Sequence, residues 1–519
     1  MRYRSPVGHP DTVVLDGTPL GEDEVVAVAR HGAKVVVGER VAEAMAASRR
    51  VVEAHLDDDR PVYGLTTGVG ALADVRIPRR DLGRLQRNLV RSHAAGAGDP
   101  LPAEVVRAMM LLRARTLAAG RSGARPVVVE RIADLLNAPI TPAVPSRGSV
   151  GASGDLAQLA HAALCLIGEG EVLSDGGGTG SAAEALRRAG LDPIELEAKE
   201  GIALVNGTEG MLALGTLALH DARILLTSAD VAAAMTVEGA LGTDRPFSED
   251  VVGLRPHPGQ AASAENFRAL LASSPITASH RDTAHAVQDP YSMRCAPQVH
   301  GAARDAATFA EGVFDRERAS TVDNPVILPD GRVESTGNFH GEPLAYALDL
   351  LAMALTGLAS ISERRTYWLL GPGQQRNLPP FLSMEPGLGS GYMLAQYTQA
   401  GLVSECKILS QPAGVDSIPT SGTQEDHVSM GWLSGLKLRT LLEHVAVVIA
   451  VEAMVAAQAL DLREPDAAPG TGAARRLVRE RIPFLDQDRD LSGDIAAATE
   501  LVRTGALAEA AAARIGALR

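Results

Sequence analysis

The chain has 519 residues and a formal charge of −14, because 49 Lys and Arg stand against 63 Asp and Glu. This acidic balance argues against a nucleic-acid-binding protein, since binding to phosphates requires clustered positive charge. Hydrophobic residues make up 46% of the sequence and charged residues 22%, which is typical of globular proteins and excludes a disordered chain.

The cysteines and the first residues indicate the cellular compartment. Cys165, Cys295 and Cys406 are odd in number and widely spaced, which argues against a disulfide scaffold or a CxxC zinc site and fits a reducing environment. The charged residues near the start are not followed by the apolar segment of a signal peptide. We therefore expect a cytoplasmic protein.

Residues 1–200 form the first predicted part of the chain. Glycine and proline recur throughout this part, and they favour short helices and ordered loops over long rods. Within it, the glycine-rich segment 174–181 is predicted to be a surface turn or a flexible loop.

Long apolar segments dominate the predicted second part, residues 201–463. Only 3% of the residues are aromatic, so the core must consist of Ala, Leu and Val, which favours closely packed helices. Charged residues interrupt the later segments, whereas a membrane span needs about 18 uninterrupted apolar residues. We therefore predict a mainly helical protein with a bundle of long buried helices and no membrane span, followed by a linker and a helical tail at 464–519. The three apolar segments are 208–241, 344–370 and 433–462.

The segment 145–156 carries the most specific information. A hydrolase elbow would need a glycine at the position of Asp155, and a P-loop would need a lysine, which is absent. The glycines at 148, 151 and 154 also break the dinucleotide-binding spacing. A tight turn before a helix is one interpretation, in which Asp155 caps that helix or stiffens the turn.

A second interpretation gives this segment a chemical role. In a tight turn, the amide nitrogen of Gly154 can attack the carbonyl carbon of Ala152 and close a five-membered ring, because glycine leaves its nitrogen unhindered. Loss of water, including the hydroxyl of Ser153, then gives a methylidene-imidazolone (MIO). Elimination of an amine next to a weakly acidic β-carbon needs such an electron sink, for which other proteins use pyridoxal phosphate.

Seven separated motifs resemble those of the aromatic amino acid ammonia-lyase family. The resemblance implies a fold with a long central helical bundle of the ammonia-lyase/fumarase-like type. It also implies an MIO made autocatalytically from Ala152, Ser153 and Gly154 with no external cofactor, and a homotetramer whose active sites are shared between subunits. The motifs are 63–70, 88–96, 151–155, 204–208, 288–295, 337–341 and 424–430.

The same resemblance assigns catalytic roles. Asn206 corresponds to an asparagine that binds the carbonyl of the MIO ring. Tyr63 corresponds to a base for the β-proton, and a phenol with an ordinary pKa near 10 would need nearby charge to lower that pKa. Tyr291 competes for a role in proton transfer or amine contact. Arg294 would hold the substrate carboxylate through two parallel hydrogen bonds.

The remaining assigned residues concern the substrate. Gln288 corresponds to a polar contact and Phe339 to an apolar wall of the pocket. His93 offers a hydrogen bond to a polar ring, in a position where phenylalanine lyases carry an apolar pair. Glu425 can accept an imidazole N–H or serve as a base, whereas lyases for carbocyclic rings carry a neutral amide there. Together these residues favour elimination of ammonia from L-histidine to give trans-urocanate.

Several alternatives stay open at this point. The substrate's amine or its ring could add to the electrophile, and the chain could instead be an MIO-dependent tyrosine ammonia-lyase, an aromatic aminomutase or a non-catalytic homologue. The segment Ser421-Gly422-Thr423 departs from the usual family pattern, so the packing around the pocket can differ. Histidines such as His340 and His427 show no ligand spacing like HExxH, so we expect no metal site.

Overall fold

The computed structural model of the chain describes residues 8–57, 61–174, 176–281, 287–371 and 376–519. Most of these residues are helical. The helices are α1 Glu22–Arg30, α2 Glu39–Leu56, α3 Leu82–His93, α4 Ala103–Ala118, α5 Pro126–Asn137, α6 Leu156–Leu166, α7 Ala182–Ala189, α8 Glu200–Val205, α9 Glu209–Gly239, α10 Glu249–Gly253, α11 Pro258–Leu270, α12 Pro275–Ser279, α13 Tyr291–Arg294, α14 Ala296–Ala319, α15 Glu342–Leu370, α16 Met393–Leu409, α17 Gly431–Asp461, α18 Pro469–Arg481, α19 Ser492–Arg503 and α20 Ala506–Ile515.

The strands are short and occur in pairs. The first pair is parallel, with Thr12 opposite Lys34, and the other three pairs are antiparallel. Only the last two pairs join strands that are close in the sequence, and each of the four pairs is a separate two-stranded sheet, so these strands do not build a sheet core. The pairs are β1 Thr12–Leu15 with β2 Lys34–Val37, β3 Ala97–Pro100 with β4 Pro145–Arg147, β5 Glu171–Leu173 with β6 Thr179–Ser181, and β7 Val326–Ile327 with β8 Val333–Glu334.

Four long helices form the centre of the molecule. Helix α17 packs against α9 and α15, and α14 packs against both of the latter. Small residues let these helices approach closely: a Cβ added at Gly215 would lie 2.8 Å from Phe314, and one added at Gly435 would lie 2.8 Å from Leu214. The bundle is therefore packed from small and aliphatic side chains, as the low aromatic content predicts.

The three predicted apolar segments coincide with α9, α15 and α17, which confirms the predicted helical bundle. Helices α15 and α17 are long and apolar enough to cross a membrane by length and composition alone, and 56% and 78% of their most apolar windows are buried within the protein. Their charged residues are paired inside the bundle: Glu452 binds Arg365, and Asp349 accepts the N–H groups of Ala413 and Gly414. A position in the core of the protein accounts for both the apolar length of these helices and the pairing of their charged residues.

The segment predicted as a linker is more ordered than the sequence suggests, whereas the described residues of the glycine-rich segment, 174 and 176–181, form the predicted surface turn and strand β6, which pairs with β5. The end of the segment 464–472 forms the first turn of α18, where Thr471 is fully buried and bonds Glu238 of α9. Apolar burial against the bundle thus orders this segment in spite of its Pro and Gly content.

Candidate active site

A cavity of about 560 Å³ lies beside the tripeptide Ala152-Ser153-Gly154. Its size suits a single amino acid. The cavity brings together five of the predicted site residues from segments that are far apart in the sequence. These residues are Tyr63, His93, Ser153, Asn206 and Glu425.

The tripeptide has an unusual backbone. Ser153 has a φ of 52° and Gly154 a φ of 72°, so both lie in the left-handed region that L-residues with a Cβ rarely adopt. A Cβ added at Gly154 would lie 1.9 Å from the carbonyl oxygen of Gly207. Only glycine fits at position 154, because the backbone of the α8–α9 junction occupies the space of any side chain.

Three bonds from distant parts of the chain fix the approach to the tripeptide. The Gly151 carbonyl accepts the N–H of Gly341 at 2.9 Å and the hydroxyl of Ser429 at 2.8 Å. The Val150 carbonyl accepts the N–H of Met430 at 2.8 Å. The starts of α15 and α17 therefore hold the segment before Ala152 on both sides.

Asp155 follows the tripeptide and is fully buried. It stands at the N-cap position of α6 but makes no capping bond there, so the predicted capping role is wrong. Instead its carboxylate accepts the Met211 N–H in the first turn of α9 at 2.7 Å and the Ser149 hydroxyl at 2.9 Å. Burial raises the pKa of Asp155 from 3.8 to about 7, and the charge of Glu209 adds to the increase, whereas the two hydrogen bonds oppose it.

This pKa predicts how stability depends on pH. A carboxyl with a folded pKa of about 7 and an unfolded pKa of 3.8 loses about 4 kcal/mol of stability as pH rises between these two values, because only the unfolded state ionises there. Asparagine cannot ionise, and its Oδ1 can accept the Met211 N–H while its Nδ2 donates to the Ser149 hydroxyl oxygen. The stability of wild type should therefore fall between about pH 5 and about pH 8, whereas that of the Asp155→Asn variant should not show this loss. We expect calorimetry to show that the unfolding temperature of the variant, relative to that of wild type, increases over this range.

The exposed Asp192 provides the control for this comparison. The difference in unfolding temperature between the Asp192→Asn variant and wild type should be the same at both pH values. A constant difference for Asp155→Asn as well would contradict the raised pKa.

Glu425 faces the tripeptide directly. Its Oε1 accepts the Ser153 hydroxyl at 3.3 Å, and its Oε2 accepts the Thr420 hydroxyl at 2.7 Å. The backbones of Thr420 and Glu425 also pair with each other, with the Thr420 N–H bonded to the Glu425 carbonyl at 2.9 Å. Thr420 therefore orients the carboxylate so that one oxygen remains directed towards Ser153.

Tyr63 is the first residue of the motif 63–70 and lines the cavity. Its hydroxyl oxygen accepts the Gly70 N–H at 3.0 Å. Burial raises the pKa of Tyr63 above its ordinary value of 10.0; the Gly70 bond lowers it in part, and the charge of Glu425 raises it further. This direction is opposite to the one that a role as base would need.

His93 is the last residue of α3 and points its ring towards the same cavity. Its Nδ1 lies 2.8 Å from the Leu89 carbonyl, so Nδ1 carries the proton and Nε2 is left as an acceptor in the neutral ring. Burial lowers the pKa of His93, although the Leu89 bond and Glu425 oppose that shift. A neutral imidazole is the form that this environment favours.

Asn206 ends α8 next to the tripeptide. Its Nδ2 donates to the Asn324 carbonyl at 2.9 Å, which leaves one amide proton for another acceptor. Arg113, which is 2% exposed, donates to the Asn206 carbonyl and to Glu209. Asn324 thus holds the side chain of Asn206, and Arg113 holds its backbone.

The structure does not bring the other four predicted site residues to this cavity. Tyr291 is 72% exposed, and the Arg294 guanidinium lies 4.6 Å from the centre of its ring while donating to the Asp289 carbonyl. Gln288 is exposed and Phe339 is half-buried, both away from the cavity lining. Within one chain, the cavity therefore lacks the predicted carboxylate-binding arginine.

Some contributors to the site escaped prediction. Ser429 and Gly207 lie inside two of the recognised motifs. Their membership of these motifs was a signal that could have assigned them to the site. Thr420 and Ser149 lie outside the motifs, and their roles depend on contacts with Glu425 and Asp155 that only the folded chain reveals.

Comparisons with known proteins identify the family of the chain. The family model for aromatic amino acid lyases matches residues 20–480. A histidine ammonia-lyase of Streptomyces coelicolor is 52% identical over 510 residues, which cover 98% of this chain and 100% of the relative.

Solved structures show the same similarity over nearly the whole chain. The histidine ammonia-lyase of Trypanosoma cruzi superposes with a TM-score of 0.89 at 39% identity, with 97% of this chain and 96% of that one covered. The tyrosine aminomutase of Streptomyces globisporus superposes with a TM-score of 0.92 at 36% identity, with 97% and 99% covered. The resemblance predicted from the motifs is confirmed, and the chain belongs to the aromatic amino acid lyase family.

Proposed function

We propose that this protein is a carbon–nitrogen lyase that eliminates ammonia from L-histidine to give trans-urocanate. The observation that carries the proposal is the position of Glu425 and His93 in one cavity with Ser153, at 3.3 Å between the Glu425 and Ser153 oxygens. The histidine ammonia-lyase relative from Streptomyces coelicolor, at 52% identity, supports the same activity.

The cavity discriminates between aromatic rings through its acceptors. His93 Nε2 and the Glu425 carboxylate both accept hydrogen bonds, and an imidazole ring supplies an N–H to them. A phenyl ring supplies none, so its binding would leave two buried acceptors without partners, which costs about 1–3 kcal/mol for each group. L-histidine is therefore favoured over L-phenylalanine.

The backbone at residues 152–154 fits the formation of MIO. The left-handed Ser153 and Gly154 supply the tight turn, and the absence of a Cβ at Gly154 leaves its nitrogen accessible. Glu425 contacts the hydroxyl that the dehydration would remove. Once formed, the group supplies an electrophile, and the second amide proton of Asn206 would hold its carbonyl.

The chain offers two groups for removal of the β-proton. The raised pKa of Tyr63 keeps this phenol protonated near neutral pH within a single chain. Glu425 carries a carboxylate at the same cavity and is oriented by Thr420. We therefore assign proton removal to Glu425, with Tyr63 as a further residue that lines the cavity.

Ultraviolet-monitored turnover of L-histidine, L-tyrosine and L-phenylalanine tests the proposal, because each conjugated acrylate absorbs where its parent does not. Ammonia and β-amino acids are quantified in the same reactions. Urocanate and ammonia from L-histidine alone are expected. Turnover of L-tyrosine without turnover of L-histidine would overturn the substrate assignment.

An aromatic aminomutase is the second candidate, and the high structural similarity to the tyrosine aminomutase favours it. Such an enzyme would return the amine to the β-carbon. A β-amino acid among the products would support it, whereas release of stoichiometric ammonia would exclude it.

We also propose that the protein is a cytoplasmic homotetramer with shared active sites. Exposed apolar side chains on the adjacent helices α15 and α16 support an interface between copies of the chain. Arg294 lies away from the cavity of its own chain, so it could reach only the cavity of another copy. The exposed residues are Tyr346, Met353, Tyr367, Leu394, Tyr397 and Ile408.

Complementation between two variants tests the shared site. Ser153→Ala and Arg294→Ala chains should each be inactive alone. When they assemble together in equal amounts, about a quarter of the sites combine an intact Ser153 with an intact Arg294 from different chains. We expect about a quarter of wild-type activity after co-expression, and the absence of any recovery would contradict the shared site.

A further inference from the structure

We propose that His340, Glu342 and His427 form a zinc site near the tripeptide Ala152-Ser153-Gly154. Their candidate ligand atoms all lie within 4.8 Å of one another. Because 87 residues separate the two histidines, the spacing rules used on the sequence do not detect the cluster.

Hydrogen bonding fixes which atom His340 presents. Its Nε2 lies 3.2 Å from the His427 carbonyl oxygen. A carbonyl oxygen only accepts, so Nε2 carries the proton and Nδ1 of the neutral ring carries a lone pair. Histidine ligands of metals typically donate their second N–H to a backbone carbonyl in this way.

His340 Nδ1 and Glu342 Oε2 are then two hydrogen-bond acceptors that lie close together without a donor between them. His340 Nδ1 lies 4.0 Å from Oε2 of Glu342. That oxygen is buried and has no hydrogen-bond partner among the residues that the structure describes. The Tyr346 hydroxyl interacts with the Glu342 carboxylate, but it makes no hydrogen bond to this oxygen. A cation between the lone pair and the carboxylate would satisfy both.

The donor set selects the class of cation. Two imidazoles and one carboxylate are ligands that Zn²⁺ accepts, with bonds of about 2.0–2.2 Å. Such bonds would bring the three ligand atoms about 1 Å closer together, which side-chain rotation can supply because His340 and Glu342 are 30% and 25% exposed. The same exposure leaves a fourth position open to water.

The site would connect the two segments that hold the tripeptide. Gly341, between His340 and Glu342, donates to the Gly151 carbonyl, and Ser429, two residues after His427, donates to the same oxygen. Zinc would cross-link these segments and stabilise their grip on Gly151. The proposal does not depend on the substrate of the enzyme.

Calorimetric titration of the chelator-treated full-length protein with Zn²⁺ tests the site. One saturable zinc per chain is expected, with an increase in the thermal unfolding midpoint. The His340→Gln, Glu342→Gln and His427→Gln variants should each lose both effects. The His444→Gln variant, whose histidine on α17 pairs with Glu405 of α16, should keep both effects.

A second measurement needs no substitution. Co²⁺ in place of Zn²⁺ should give the visible absorption of a tetrahedral site with nitrogen and oxygen ligands. The absence of saturable binding, as expected if Glu342 instead pairs with a protonated His340, would overturn the proposal. Binding that survives all three variants would also overturn it, because it would place the metal at other ligands.

Discussion

Replacing Ser153 by alanine is expected to remove the activity and the modification of the chain together. Ring formation loses two waters, so the intact wild-type chain should be lighter than its sequence mass by roughly 36 Da. Without the serine hydroxyl, the methylidene group cannot form, and turnover of L-histidine should fall by at least about 10³-fold, or about 4 kcal/mol of transition-state stabilisation. Intact-mass spectrometry and the ultraviolet assay measure the two effects on the same sample.

The exposed Ser181 supplies the control, because it makes no side-chain capping bond and lies outside the cavity. The Ser181→Ala variant should show the wild-type mass deficit and activity. A Ser153→Ala chain with full activity would rule out the proposed electrophile, and so would a wild-type chain at its unmodified mass.

Glu425→Gln is expected to give the second-largest loss. Glutamine keeps the size of the side chain and can still accept the Thr420 hydroxyl, but it cannot accept a proton. We expect kcat for L-histidine to fall by about 10²–10⁴-fold, which is the usual contribution of general acid–base catalysis. The mass deficit of the variant, measured in parallel, separates an effect on turnover from an effect on formation of the electrophile.

Two further variants give this experiment its comparison. Asp426→Asn changes the adjacent exposed carboxylate and should be close to wild type. Thr420→Val removes the hydroxyl that orients Oε2 and should show a smaller loss of the same kind as Glu425→Gln. If Glu425→Gln and Asp426→Asn behaved alike, Glu425 would have no role in proton transfer.

The sequence predicts the bundle well because apolar composition and length alone determine which segments are buried as long helices. The limits of α9, α15 and α17 lie within a few residues of the predicted segments. It predicts the segment 464–472 less well, because burial against α9 overrides a local composition that is typical of linkers.

The site is predicted only in part, because motifs identify residues but not the surroundings that the fold gives them. Motif recognition found Tyr63, His93, Ser153, Asn206 and Glu425, and the fold brings them to one cavity. Electrostatics depend on the folded surroundings and were not accessible: the pKa of Tyr63 is raised where a base would need it lowered. The roles of Tyr291 and Arg294 stay predictions, because neither residue lines the cavity of its own chain.

The hydrogen bonds to the Gly151 carbonyl have a consequence for when the tripeptide can be modified during translation. The groups that hold this carbonyl belong to Gly341 and Ser429, and the latter lies 278 residues further along the chain. A nascent chain therefore presents residues 151–154 before the groups that hold the Gly151 carbonyl have been translated. Only when the start of α17 has been translated and has docked is that carbonyl held by both groups. A chain that stops before residue 429 should consequently carry an unmodified Ala-Ser-Gly, however well its first helices have folded.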